Sequence, residues 1–221
     1  MDWTSGIEIE PSLYAADFAR LGEQVGALLD AGARVFHFDV GDGHFVEPIT
    51  IGPVVLRAIA PLVHAGGAVL DCHLMVDNPV RHVTQIAEAG GDSVTVHFEV
   101  EGAREAMALA RTHGLGAGLS FNPETLVADA AAAAGDADLV LCMSIVPGYS
   151  GQAFMPEALD RIRELRGLLP GDVPIQVDGG IDLDTAPAAR KAGATLLVAG
   201  SAVFGRPDPA AAFRELAAAA A

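Results

Sequence analysis

Residues 35–46 read VFHFDVGDGHFV, an apolar run broken by two histidines and two aspartates. In an extended chain alternate side chains share a face. His37 and Asp39 then lie on one face of a strand, with Phe36, Phe38 and Val40 on the other. A polar face of this kind either meets water or aims an imidazole and a carboxylate at a common target. The surrounding chain decides which.

The same texture recurs at regular intervals. Strand-like runs occupy residues 7–14 (IEIEPSLY), 35–40 (VFHFDV), 69–76 (VLDCHLMV), 93–100 (SVTVHFEV), 116–122 (GAGLSFN), 139–145 (LVLCMSI), 174–180 (PIQVDGG) and 195–201 (TLLVAGS). Helical patterns such as DFARLGEQVGALLDAG, NPVRHVTQIAEAGG, PEALDRIRELRGLL and DTAPAARKAG lie between them. Most open after a capping or turn residue (Asp17, Asn78, Asn122, Asp184) and close at Gly. Such alternation predicts parallel strands joined by crossover helices. Eight units within 221 residues predict a single (β/α)₈ TIM barrel over residues 1–221. An open doubly wound sheet would place a glycine-rich dinucleotide turn after its first strand, and PSLYAADF has none. The alanine-rich stretch 128–138 sits where a helix is due and reads as an ordinary surface helix, not a linker.

The formal charge of −16 argues against nucleic acid and against anionic membrane surfaces as partners. No apolar run is long enough to span a bilayer, and MDWTSGIEIE lacks the basic flank and apolar core of a secretory signal. Cys72 and Cys142 lie inside apolar runs and read as buried thiols rather than a disulfide, which makes the cytoplasm the expected compartment. Lys191 is the one lysine in the chain. An anionic ligand would therefore need a site made from backbone amides or a metal.

In this barrel, functional side chains gather at the C-terminal ends of the strands. His37 and Asp39 end the second strand, His73 the third and Asp178 the seventh. Two imidazoles and two carboxylates suit Zn²⁺, or Fe²⁺, Mn²⁺ or Co²⁺. On the pattern alone, a metal site and a set of hydrogen-bonded structural residues remain equal alternatives. His97 reads as structural, and His44, His64, His82 and His113 as solvated or structural. A second constellation is glycine-rich: PGYSGQ (147–152), DGG (178–180) and AGSAVFG (199–205) follow strands six, seven and eight. Glycines admit a ligand close to backbone N–H groups, and the loops after strands seven and eight commonly cradle phosphate in such barrels.

Along nearly its whole length the chain resembles the ribulose-phosphate 3-epimerase family. The resemblance is carried by PSLYAADFARLGEQV, HFDVGDGHFV…ITIGP, LDCHLMVDNP, FNPET, CMSIVPGYSGQAFMPE, VDGGI and AGSAVFG. It implies 3-epimerisation of a ketose phosphate, D-ribulose 5-phosphate to D-xylulose 5-phosphate, in a homo-oligomer. It implies that His37, Asp39, His73 and Asp178 hold one divalent metal ion per subunit, with Zn²⁺ favoured, and that Asp39 and Asp178 are the acid–base pair. Ser12 and His73 would meet the substrate. Further contacts are implied at Gly148, Tyr149, Ser150, Gly151, Gly179, Gly180, Gly200 and Ser201. Met75 and Met143 would cap the intermediate.

Several positions depart from the family pattern. Gly41 replaces a common Met, which predicts a gap in the apolar cap and a wider mouth. Glu47-Pro48 replaces Pro-Asn, and Val146 and Ser150 replace an Asn and a Gly of the sixth-strand loop. A wider mouth makes another ketose phosphate, such as D-allulose 6-phosphate, the first alternative substrate; a non-catalytic sugar-phosphate-binding barrel is the second. Related decarboxylases carry an Asp-x-Lys-x-x-Asp run, whereas residues 39–44 here read DVGDGH. A Schiff-base aldolase is disfavoured because Lys191 lies in a helix, away from the barrel mouth.

Overall fold

The computed structural model describes residue 4 and residues 6–221. Eight strands alternate with helices: β1 (Glu8–Pro11), β2 (Val35–Gly41), β3 (Val69–Met75), β4 (Ser93–His97), β5 (Gly116–Phe121), β6 (Leu139–Met143), β7 (Ile175–Asp178) and β8 (Leu196–Ala199). The helices are α1 (Leu21–Asp30), α2 (Pro53–Ala65), α3 (Val80–Ala89), α4 (Ala103–Thr112), α5 (Val127–Ala134), α6 (Ala158–Leu168), α7 (Thr185–Ala192), α8 (Ser201–Phe204) and α9 (Pro209–Ala220). The sheet order is β1-β8-β7-β6-β5-β4-β3-β2, and β1 lies parallel to β8 with Glu8 opposite Leu196. Between β1 and β2 there is one parallel bridge, Ser12 to His37. The result is the expected TIM barrel, nearly closed.

The period-2 pattern explains which side of each strand meets the helices. Phe36, Phe38 and Val40 of β2 pack outward into one core with Leu28 of α1 and Leu56, Ile59 and Val63 of α2. Each helix supplies a matching stripe. In α4 the buried residues are Ala103, Ala106, Met107 and Ala110, the i, i+3, i+4, i+7 spacing of one helical face. Inside the barrel the packing divides. Leu139, Leu141 and Met143 of β6, with Ile145 and Leu196, form a separate apolar cluster. The opposite sector is polar: Glu10, His37, Asp39, Asp71, His73, Ser93, Thr95, His97, Ser120 and Gln176 are all buried.

Several boundaries differ from expectation. The first strand stops at Pro11, and Leu13–Ala15 turns into a 3₁₀ helix. The pattern beginning at Asp17 opens as a 3₁₀ turn, Phe18–Arg20, before α1. Asp17 does cap that turn, accepting from the Ala19 N–H at 3.0 Å. Asp184 makes no cap: Asp182 Oδ1 accepts the N–H groups of Asp184 and Thr185, each at 2.9 Å. Asn122 contributes its backbone carbonyl, to the Thr125 N–H, and not a side-chain cap. Among the described residues no helix is long and apolar enough to cross a membrane.

The last helix closes the outer layer against α1, α7 and β1. Its start combines Pro209 in the first turn with Asp208, which accepts from the Ala211 N–H at 3.0 Å. Replacing Asp208 by Ala is expected to lower the free energy of urea unfolding by about 1 kcal/mol, with the far-UV spectrum unchanged.

Candidate active site and metal centre

The polar sector converges at the C-terminal mouth of the barrel. His37 and Asp39 extend from β2, His73 from β3 and Asp178 from the end of β7, and one ligand-type atom from each lies within 4.8 Å of all the others. Asp39 is the hub. Its Oδ2 accepts the Ser12 hydroxyl at 2.6 Å, and its Oδ1 is 3.2 Å from both His73 Nδ1 and His37 Nε2. Asp178 Oδ2 is 3.9 Å from His73 Nδ1. His37 Nε2 is near Asp39 but outside hydrogen-bond geometry, and it is buried without a partner. A buried, unpartnered imidazole nitrogen facing two carboxylates and a second imidazole suits a divalent cation such as Zn²⁺.

A second polar layer lies beneath. His37 Nδ1 is 3.1 Å from Asp71 Oδ2, Ser93 donates to Asp71 Oδ1 at 2.5 Å, and Gln176 Nε2 donates to Asp71 at 2.7 Å and to Glu10 at 2.5 Å. A carboxylate behind a histidine takes the Nδ1 proton and leaves Nε2 free to ligate. Glu10, His37 and Asp71 also form a compact ligand-type group, but hydrogen bonds to Gln176 and Ser93 already occupy it. Glu10, Asp71 and Gln176 were not expected from the sequence. Their signal was available in part, because Asp71 shares a strand face with His73, as Glu10 does with Ser12.

The electrostatics separate the two mouth carboxylates. Burial alone would raise Asp39, but His37 and His73 outweigh it and hold the carboxyl well below the usual carboxylate range. Asp178 is pushed up to about 6, first by burial and then by the adjacent Asp39 carboxylate. The two carboxyls of one cleft thus differ in their hold on a proton.

Above the cluster is a cleft lined by Ser12, Asp39 and Asp178 and by the thioethers of Met75 and Met143. Its remaining wall is the three glycine-rich loops, through Gly148, Tyr149, Ser150 and Gly151, then Gly179 and Gly180, then Gly200 and Ser201. His37 and His73 lie fully buried below it. Gly179 and Gly180 have φ of 116° and 64°. A Cβ at Gly180 would lie 2.4 Å from the Phe154 nitrogen, so the seventh-strand loop nests directly against the sixth-strand loop.

One expectation fails at Gly41. No gap opens there, because the following loop folds back over it. A Cβ at position 41 would lie 2.8 Å from Val46 Cγ2 and 3.0 Å from both the Pro48 oxygen and Thr50 Cγ2. Thr50 fastens the loop, accepting the Gly41 N–H at 2.6 Å and donating to the Asp39 carbonyl at 2.7 Å. Gly41 is buried and is not part of the cleft wall, so it does not widen the mouth. His97, expected to be structural, is fully buried outside the four-residue cluster, with a ring nitrogen 2.8 Å from that of His73.

The fold and site together define a TIM-barrel enzyme whose strand ends carry a His/Asp cluster able to hold a metal beneath a glycine-rich cleft. Residues 8–204 match the model of the ribulose-phosphate 3 epimerase family. The chain is 40% identical over 215 residues to a ribulose-phosphate 3-epimerase of Bacillus subtilis, covering 95% of this chain and 98% of that protein. It is 41% identical over 204 residues to that of Escherichia coli K12, covering 90% of each. In architecture it also matches 3-hexulose-6-phosphate synthase from Salmonella typhimurium, with a TM-score of 0.75, 15% identity and coverage of 97% and 98%. The chain belongs to the ribulose-phosphate 3-epimerase family and is an isomerase acting on carbohydrate phosphates.

Burial lowers His97 from 6.5 to about 4. The unfolded chain therefore binds this proton near pH 6.5 and the folded chain only near pH 4, so stability falls as pH drops across that window. Urea titrations at pH 7.5 and pH 5 should show the protein losing about 2 kcal/mol more than a His97→Gln variant.

Proposed function

We propose that this protein interconverts D-ribulose 5-phosphate and D-xylulose 5-phosphate, using one divalent ion held by His37, Asp39, His73 and Asp178. The observation that carries this reading is the unequal carboxylate pair at the mouth of a barrel of this family. Epimerisation at C3 removes a proton beside a carbonyl and returns one to the opposite face of the planar intermediate. It requires one ionised and one protonated group, each within reach of the same carbon. Asp39, held ionised by two imidazoles and the Ser12 hydroxyl, suits the base. Asp178, held near 6, suits the acid, and the two exchange roles with each direction of turnover. A divalent ion in this cluster supplies Lewis-acid stabilisation of the charge developing on the substrate's oxygens.

The remaining residues bind and shield. Ser12 orients Asp39 and reaches the cleft, and His73 contributes from beneath it. Met75 and Met143 cover the intermediate and keep water from the reacting carbon. The loops through Gly148, Tyr149, Ser150, Gly151, Gly179, Gly180, Gly200 and Ser201 receive the phosphate. Backbone N–H groups are the natural donors there, since Lys191 is the one lysine and sits in α7.

The test is proton NMR of the Zn²⁺-loaded protein with D-ribulose 5-phosphate in D₂O. Xylulose 5-phosphate carrying deuterium at C3 is expected, with the rate reduced at least about 10²-fold in Asp39→Asn and in Asp178→Asn. Exchange with D-allulose 6-phosphate alone would reassign the substrate. No turnover of either compound would leave a sugar-phosphate-binding barrel without catalysis.

A further inference from the structure

Beneath the glycine-rich cleft, Ser144 joins the ends of β6 and β7 in a way the reaction scheme does not use. It follows directly on β6, is fully buried and is not part of the cleft wall. Its N–H donates to the Asp178 carbonyl at 2.9 Å, and its own carbonyl accepts the Met155 N–H at 2.9 Å. Its hydroxyl oxygen lies 2.8 Å from the Asp178 carbonyl oxygen and 2.7 Å from that of Gly179.

We propose that Ser144 is a positioning residue for anion binding: its hydroxyl holds the Gly179–Gly180 peptide with the carbonyl turned inward and the Gly180 N–H turned outward to the substrate's phosphate. The direction follows from peptide geometry. A serine hydroxyl has one proton to give. The Asp178 oxygen already receives the Ser144 N–H, so that proton goes to the nearer oxygen, that of Gly179. No peptide bond among the described residues is cis, and in a planar trans peptide the C=O and the N–H point opposite ways. Pinning the Gly179 oxygen to the buried hydroxyl therefore turns the Gly180 N–H away from it, to the side on which both glycines line the cleft. That N–H meets no protein acceptor among the described residues.

Two further contacts steady the peptide. A Cβ at Gly179 would run into the Ile145 side chain, so the loop lies flush against the chain leaving β6. Thr185 Oγ1 donates to the Gly180 carbonyl at 2.9 Å and fixes the next peptide. Without the Ser144 hydroxyl the Gly179 oxygen loses its donor, and two adjacent glycines leave the peptide free to rotate. The identity of the anion as the substrate's phosphate rests on the epimerase reading above; the orientation of the peptide does not.

Amide ¹H–¹⁵N NMR of the full-length, Zn²⁺-loaded protein, titrated with inorganic phosphate, reads the donor directly. The expected result is a downfield shift of the Gly180 amide proton in the parent and its loss in Ser144→Ala, with phosphate bound about 10-fold more weakly by that variant. The Ser201 amide is expected to shift in both proteins, which a general collapse of the cleft would prevent. Ser144→Thr, which keeps the hydroxyl, is expected to restore the Gly180 shift. Should Ser144→Ala fail to fold, Ser144→Cys, whose thiol is a weak donor, carries the same expectation. A Gly180 amide that phosphate leaves unmoved in the parent, or an equal shift and equal affinity in the variant, would overturn the proposal. A Ser144-dependent shift in a protein that turns over no ketose phosphate would uphold it and sink the epimerase reading instead.

Discussion

The carboxylate of Asp39 is the constraint on which the rest of the molecule depends. A charge buried this completely is tolerated only when paired and hydrogen-bonded. Asp39 meets that condition by drawing on three strands: the Ser12 hydroxyl just past β1, His37 two residues earlier on β2 and His73 directly opposite on β3. Each histidine is held in turn, His37 by Asp71 and His73 by His97 and Glu99. Asp39 and the groups behind its histidines thus form a connected network, and removing Ser12, Asp71 or Glu99 takes a partner from a buried neighbour.

The apolar sector sets the other condition. Leu139, Leu141, Met143 and Leu196 occupy the interior positions of β6 and β8, so the barrel is lined by hydrocarbon on one side and by carboxylates and imidazoles on the other. Asp178 stands at the boundary, with Met143 as its direct neighbour on β6. That placement explains why its proton is held so differently from that of Asp39. One carboxyl has imidazoles around it, and the other has methionine, isoleucine and a second carboxylate.

The barrel was legible in the sequence because its signals are local and repeated. Strand-like runs recur eight times with crossover helices between them, most of the helices closing at Gly, and the strand ends carried His37, Asp39, His73 and Asp178 in plain view. Boundaries were less legible where propensity and capping chemistry competed, as at Pro11, where the strand pattern continued but the chain turned. At the start of α7 it is Asp182, not Asp184, whose carboxylate accepts the free N–H groups, those of Asp184 and Thr185. The supporting layer was hidden for a different reason. Gln176 lies 105 residues from Asp71 and 166 from Glu10, and nothing local says that these side chains meet. Gly41 was misread because the space left by a missing side chain was taken to remain empty. Val46, Pro48 and Thr50 fill it, and that depends on the path of the loop rather than on residue 41.

The closure of the barrel carries a consequence for how the site comes into being. β1 joins β8 along a full ladder, pairing Glu8 with Leu196, whereas its link to β2 is the single bridge between Ser12 and His37. The ladder requires the two ends of the chain to meet, the most entropically demanding of the strand pairings and, in a fold of this contact order, among the slow ones. The bridge lies within the cluster itself, so the seam of the barrel and the heart of the site are the same few atoms. Ser12 has its seat against Asp39 only where β1 is fixed between β8 and β2, so opening the seam would take that hydroxyl from the carboxylate.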